Sequence, residues 1–210
     1  MILTVSGPSS TGKTAFIELL KKHKEMIESI AECDAVFIPE SIREVMRVEY
    51  AGKALRDVLS NQDELMDLQF SITRYNERLY RDIARRKSNL YIIDRGPVDN
   101  YIYTLFRFMD CEPDVRRRQL GSYRMHAALN KILMQIPDAI FLTAPIYTGG
   151  SVEADGFRPD FDKSEYTAEC ELFDSILGNY FGNSDKIIRL PSSNDERLQV
   201  FFDYLCRRFI

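Results

Sequence analysis

Eight residues constrain this chain more than any others. Gly7-Pro8-Ser9-Ser10-Thr11-Gly12-Lys13-Thr14 has the spacing G-x-x-x-x-G-K-[S/T]. It lies between a short apolar, β-branched run, Ile2 to Ser6, and a segment with Phe16, Leu19 and Leu20 at helical spacing. Strand, glycine loop and helix in that order make a cradle of backbone N–H groups at a helix N-terminus. The glycines let the backbone approach an anion closely, Lys13 offers a cation to the β and γ phosphates of a nucleoside triphosphate, and Thr14 offers a hydroxyl to Mg²⁺. Gly7, Ser10, Thr11, Gly12, Lys13 and Thr14 are therefore the expected ATP-binding residues, with ATP and Mg²⁺ as the cofactors.

The rest of the chain keeps alternating strand and helix. Ala35 to Ile38, Leu90 to Ile93, Ala139 to Thr143 and Lys186 to Leu190 read as four further strands. Between the second and third, Leu65, Leu68, Ile72, Tyr75, Leu79 and Ile83 recur every three or four residues, and Asn61 with Glu64 forms a capping signal. Pro97 and Pro113 each suit the first turn of a helix, reaching about Met109 and about Ile136. A helix from about Ser164 to Tyr180 follows, and Ser193 or Asn194 caps a final one ending near Arg208. Without repeats or low-complexity linkers, this pattern predicts an α/β chain of one domain over residues 1–210: a three-layer P-loop NTPase fold, with five parallel strands and helices on both faces. The turn-rich stretch 147–163, with Gly149, Gly150, Gly156 and Pro159, is the expected small lid.

Ligands gather at the carboxyl ends of parallel strands, and charged residues stand there. Ile92-Ile93-Asp94 is followed by Arg95. A hydrolytic ATPase commonly places a water-activating glutamate after such an aspartate; an arginine suits transfer to an organic acceptor, where it stabilises charge on the moving phosphoryl group. Asp94 is expected to support the metal together with Thr14. Glu40, at the end of the second strand, stands where an acceptor hydroxyl should lie and is expected to orient or deprotonate it; the alternative makes Asp94 the base and puts Glu40 behind the metal. Arg43, one helical turn on, is a candidate for an anionic substrate group or an ordinary surface arginine. Arg158, within Asp155-Gly156-Phe157-Arg158 of the lid stretch, is expected to act on the phosphates after closure. Gln69, Thr73, Asn76 and Tyr80 form a polar stripe on the long helix that faces either a substrate cleft or water. His23 and His126 sit in helical patterns and read as packing or surface residues.

Composition narrows the classes further. At 210 residues, 45% hydrophobic and 29% charged, the chain suits one packed domain. A net charge of −4 argues against a protein that coats duplex nucleic acid through a broad basic face, although arginines cluster at 81, 85 and 86 and at 116–118. Four scattered cysteines form no zinc pattern. No charged leader and no apolar stretch near a bilayer's span point to a cytoplasmic protein without a membrane. The sequence argues against a GTPase switch: no aspartate has glycine three residues later, and Asn130-Lys131 continues as Ile132-Leu133.

The combination of Gly7 to Thr14, Pro39-Glu40-Ser41-Ile42-Arg43-Glu44, Asp94-Arg95-Gly96 and Asp155 to Arg158 resembles the ATPase/kinase family of NAD metabolism, which includes the ribosylnicotinamide kinase domain. More distantly, a glutamate after strand two, Gln69 in a central helix and an aspartate–arginine pair after strand three are similar to deoxynucleoside and thymidylate kinases. The resemblance covers most of the chain. It implies ATP, Mg²⁺ and a small nucleoside- or nucleotide-like acceptor, with Arg43, Gln69 and Arg95 on the acceptor side and Lys13, Glu40, Asp94, Arg95 and Arg158 as the catalytic set. Two other readings stand beside it: a kinase acting on a modified base or nucleotide within DNA, and an ATP-binding regulatory module with slow hydrolysis.

Overall fold

The computed structural model describes residues 1–9, 11–86, 89–143, 163–182 and 184–209. Its strands are β1 (Ile2–Ser6), β2 (Ala35–Ile38), β3 (Leu90–Asp94), β4 (Ala139–Thr143) and β5 (Ile187–Leu190). They form one parallel sheet in the order β2-β3-β1-β4-β5. The helices are α1 (Lys13–Lys22), α2 (Lys24–Ala31), α3 (Ser41–Glu49), α4 (Leu55–Leu59), α5 (Gln62–Arg85), α6 (Pro97–Asp110), α7 (Pro113–Leu133), α8 (Lys163–Phe181) and α9 (Asn194–Phe209).

Alternation along the strands explains the three layers. Leu3 and Val5 of β1, Leu90 and Ile92 of β3, and Ala139 and Phe141 of β4 point to one face, against Phe16 and Leu20 of α1, Ile27 of α2, and Phe201 and Leu205 of α9. On the opposite face Ile140 and Leu142 meet Val98 and Ile102 of α6 and Phe173 and Leu177 of α8, while Tyr91 and Ile93 meet Tyr80 and Ile83 of α5 and Leu133 of α7. With both faces covered, the central strands read as nearly continuous apolar runs. Each fully buried Leu, Ile or Phe contributes about 1.5–3 kcal/mol relative to exposure.

The long amphipathic helix starts where its capping signal stands, with the Asn61 side chain accepting from Glu64 N at 3.2 Å. The helix from Pro113 ends at Leu133, three residues short of the sequence expectation; Gln135 N and Ile136 N instead close tight turns on Ile132 O and Leu133 O. His126 is buried and stacks on Phe70 with ring centroids 4.6 Å apart, a packing role.

Because β1 lies between β3 and β4, the chain leaves β1 toward one side of the sheet and later returns to build the other. The carboxyl end of β1 is thus the switch point at which a crevice opens. Among the described residues no helix is long and apolar enough to cross a membrane. The lid stretch 147–163, apart from the first residue of α8, lies outside the described residues, as do Arg158 and Ser10.

Candidate active site

The loop after β1 is shaped by two glycines. Gly7 has φ 141°, and a Cβ there would come within 2.4 Å of Thr143 Oγ1 and 2.8 Å of Thr143 O, so the loop leaves the strand pressed against the end of β4. Gly12, φ 80°, is the N-cap of α1 and supplies no side-chain cap, and the first turn of α1 holds no acidic residue. The orphan N–H groups of that helix start thus face no carboxylate of their own helix, the arrangement that receives an anion. Thr11 braces the loop from inside: its Oγ1 donates to Pro8 O at 2.8 Å and lies 2.6 Å from Thr143 Oγ1.

Lys13 is 4% exposed and donates through Nζ to Gly7 O at 2.7 Å, to Pro8 O and to Thr11 Oγ1. Burial, followed by repulsion from Arg95, pushes its pKa down to about 7, against the opposing pull of Asp99, Glu169 and Glu40. A cation held under such conditions gains most from an anionic partner.

Glu40 and Arg95, which the sequence suggested separately, are one pair: Arg95 Nε lies 2.6 Å from Glu40 Oε1. Arg95 also donates to Tyr103 Oη at 3.0 Å, places its guanidinium 5.2 Å from that ring's centroid, and stands 3.9 Å from Asp99. Its φ of 60° is left-handed for a residue with a side chain, a conformation that costs about 1 kcal/mol or more and persists only where the surroundings enforce it. Here the enforcement is its backbone bond to Val5 O at 3.0 Å and its three side-chain partners. Burial works against its charge, but Tyr103, Glu40 and Asp99 together raise its pKa above the usual arginine value. Asp94, 8% exposed, is pushed up to about 6, first by burial and then by Glu40, with Arg95 and Lys13 opposing.

Glu40 and Arg95 open into a cleft of about 650 Å³, a size suited to a nucleoside-scale ligand, whereas Lys13 and Asp94 are not among its lining residues. Ser9 and Thr14 line it from the loop, Glu40 and Arg43 from the start of α3, Gln69 and Asn76 from α5, and Asn100, Tyr103 and Arg107 from α6. Arg43 is mostly exposed and 3.9 Å from Glu40. The polar stripe of α5 divides. Gln69 and Asn76 reach the cleft, and Asn76 accepts from Ser41 Oγ at 2.6 Å. Thr73 is instead fully buried, receiving Asn100 Nδ2 at 2.7 Å and Asn130 Nδ2 at 3.1 Å, and Tyr80 is packed beneath.

Besides the lining residues Lys53, Asn100 and Arg107, sequence reasoning missed three residues that brace the phosphate loop and Arg95. Asp99 accepts Gly7 N at 3.1 Å and Gly96 N at 3.0 Å, tying the loop to the start of α6; a carboxylate three residues after Gly96 is a capping signal that could have found it. Glu169 of α8 accepts Ser9 N at 2.5 Å and the Tyr103 hydroxyl, while Ser9 Oγ lies 3.0 Å from Tyr103 Oη. No local pattern marks either Tyr103 or Glu169.

Solved structures share this architecture. The NadR protein in complex with NR superposes with a TM-score of 0.58 at 17% identity, over 97% of this chain and 48% of that one, so this chain spans about half the NadR length. Thymidylate kinase from Ehrlichia chaffeensis gives 0.56 at 16% identity over 97% of both chains. Thymidylate kinase from Candida albicans gives 0.60 at 13% identity, over 99% of this chain and 91% of that one. At such identities the likeness is one of fold, a P-loop kinase-like fold similar to that of nucleoside and nucleotide kinases. No curated protein matches the sequence. The model of the AAA domain family matches residues 3–179, most of the chain and all of the candidate active site described above, and the chain belongs to that family.

Proposed function

We propose that this chain is a kinase that uses ATP and Mg²⁺ to phosphorylate a hydroxyl or phosphate of a small nucleoside- or nucleotide-like acceptor, with residues 1–210 acting as one kinase domain. The observation that carries the reading is the meeting, in one cleft, of the phosphate loop with the Glu40–Arg95 pair and a wall of side-chain amides. A binding module needs the loop; it has no use for a carboxylate locked to an arginine beside it.

The amides of the α1 start and Lys13 hold the β and γ phosphates. Thr14, which lines the cleft, and the buried Asp94 are the residues that would hold a magnesium ion. When bound there, the metal would neutralise phosphate charge. Glu40, fixed by Arg95, orients the acceptor hydroxyl, and Arg95 faces the charge that develops on the transferred group. Asp94 is the alternative proton acceptor. Gln69, Asn76 and Asn100 offer both donors and acceptors, which suits the edge of a base. Arg43, Lys53, Arg95 and Arg107 outnumber Glu40 and Asp99 among the lining residues, so an acceptor carrying phosphate is accommodated. The same basic lining is what favours a nucleotide within DNA as the second reading.

The test is ADP release from ATP and Mg²⁺ across ribonucleosides, deoxynucleosides, their monophosphates, nicotinamide riboside and modified-base DNA. Stimulation by one acceptor names the substrate; tight ATP binding with no stimulation by any would replace the kinase with a regulatory module. Within the kinase, Glu40→Gln is expected to keep ATP affinity and lose transfer by about 10²–10⁴-fold. Unchanged turnover would hand the base role to Asp94.

A further inference from the structure

Behind the phosphate loop lies an arginine that the scheme above does not use. Arg197, in the first turn of α9, is fully buried. Its Nη2 donates to Thr11 O at 3.0 Å and its Nε to Pro191 O at 2.7 Å, bridging the phosphate loop to the segment that follows β5. Its Nη1 is buried without a hydrogen-bond partner. Burial pulls its pKa down, and no charge among the described residues offsets that pull. A buried guanidinium that meets only carbonyl oxygens is expensive, and its retention calls for a compensating anion.

The geometry shows how such an anion is reached. The chain has no cis peptide among the described residues, and in a trans peptide C=O and N–H point in opposite directions. With Thr11 O held by Arg197, the N–H of Gly12 points away from that guanidinium. Gly12 sits at φ 80°, and a glycine has little steric preference to hold that peptide in one orientation by itself. A charged donor on the carbonyl also polarises the amide and strengthens its N–H as a donor.

We propose that Arg197 is a positioning residue for nucleoside triphosphate binding: it pins the Thr11–Gly12 peptide so that the Gly12 N–H faces the phosphates, and the polyphosphate serves as its through-loop counter-charge. This rests on the reading of Gly7 to Thr14 as a triphosphate site. The test compares wild type, Arg197→Gln and Arg197→Lys by calorimetric titration with Mg·ATP, Mg·ADP and adenosine, alongside thermal melting. The glutamine variant is expected to bind Mg·ATP about tenfold more weakly, Mg·ADP by a smaller factor and adenosine unchanged, with lysine recovering most of the loss. Equal losses for all three probes, or none, overturn the proposal, because a merely structural arginine does not grade its effect by phosphate charge. If the glutamine variant does not fold, the wild type carries the test: the Arg197 Nε–H resonance should shift on addition of Mg·ATP and not of adenosine, and an unmoved resonance overturns the proposal. A wild type that binds no probe overturns the triphosphate site and this inference with it.

Discussion

Lys13→Ala is expected to lower phosphoryl transfer by about 10²–10³-fold while leaving the melting temperature no lower than that of the wild type. The two halves of that result come from one observation. The Lys13 ammonium is buried, repelled by Arg95 and held at a pKa of about 7, so the fold gains little from its charge, whereas a bound polyphosphate would gain a great deal. Below pH 7 the free protein carries the full cost of keeping Lys13 charged; that cost fades as pH rises from about 7 toward 10.5, where the unfolded chain also loses the proton. The advantage of the alanine variant in melting temperature should therefore be largest at or below pH 7 and shrink at pH 9 to 10. Steady-state ADP release with whichever acceptor stimulates the wild type in the panel, and melting curves across that range, measure both. Near-normal turnover would sink the kinase scheme. A collapse of melting temperature alongside activity would make Lys13 a brace for Gly7 O and Pro8 O instead.

Much of this architecture is legible in the sequence because buried parallel strands are short apolar runs with hard stops. Ile2–Ser6 ends at Gly7, Ala35–Ile38 at Pro39, and both bounds are those of the folded chain. Glu40, Asp94 and Arg95 were legible for the same reason: Asp94 closes a strand, Arg95 follows it and Glu40 stands two residues past another, and strand ends are where the topology gathers ligands. Periodicity failed where the covering partner comes from elsewhere. Helical spacing puts Gln69, Thr73, Asn76 and Tyr80 on one stripe, but the amides of Asn100 and Asn130, from α6 and α7, decide that Thr73 is interior. Contacts across the longest separations left no trace at all. Glu169 reaches Ser9 over 160 positions and Arg197 reaches Thr11 over 186, and neither residue sits in a local pattern that differs from an ordinary helix face.

That same convergence of charge sets a conflict between stability and chemistry at Asp94. Asp94→Asn is expected to reduce transfer by about 10²–10³-fold and, with a chelator present, to raise the melting temperature at pH 8. The sign follows from the direction of the shift. The folded-state pKa of Asp94 is raised from 3.8 to about 6 by burial and by Glu40, so the folded protein binds the proton more tightly than the unfolded chain. That contribution to stability is complete below about pH 4 and is lost as pH rises through 6; two units correspond to roughly 3 kcal/mol. Asparagine has no proton to lose, so its advantage should be several degrees at pH 8 and vanish at pH 4. Adding Mg²⁺ and ATP should reverse the order, since a cation at Asp94 and Thr14 would relieve the aspartate and find nothing to relieve in the asparagine. If the variant is instead less stable than the wild type at pH 8 by as much as at pH 4, Asp94 serves the fold as a hydrogen-bonded strand terminus, and the metal must be held by other groups.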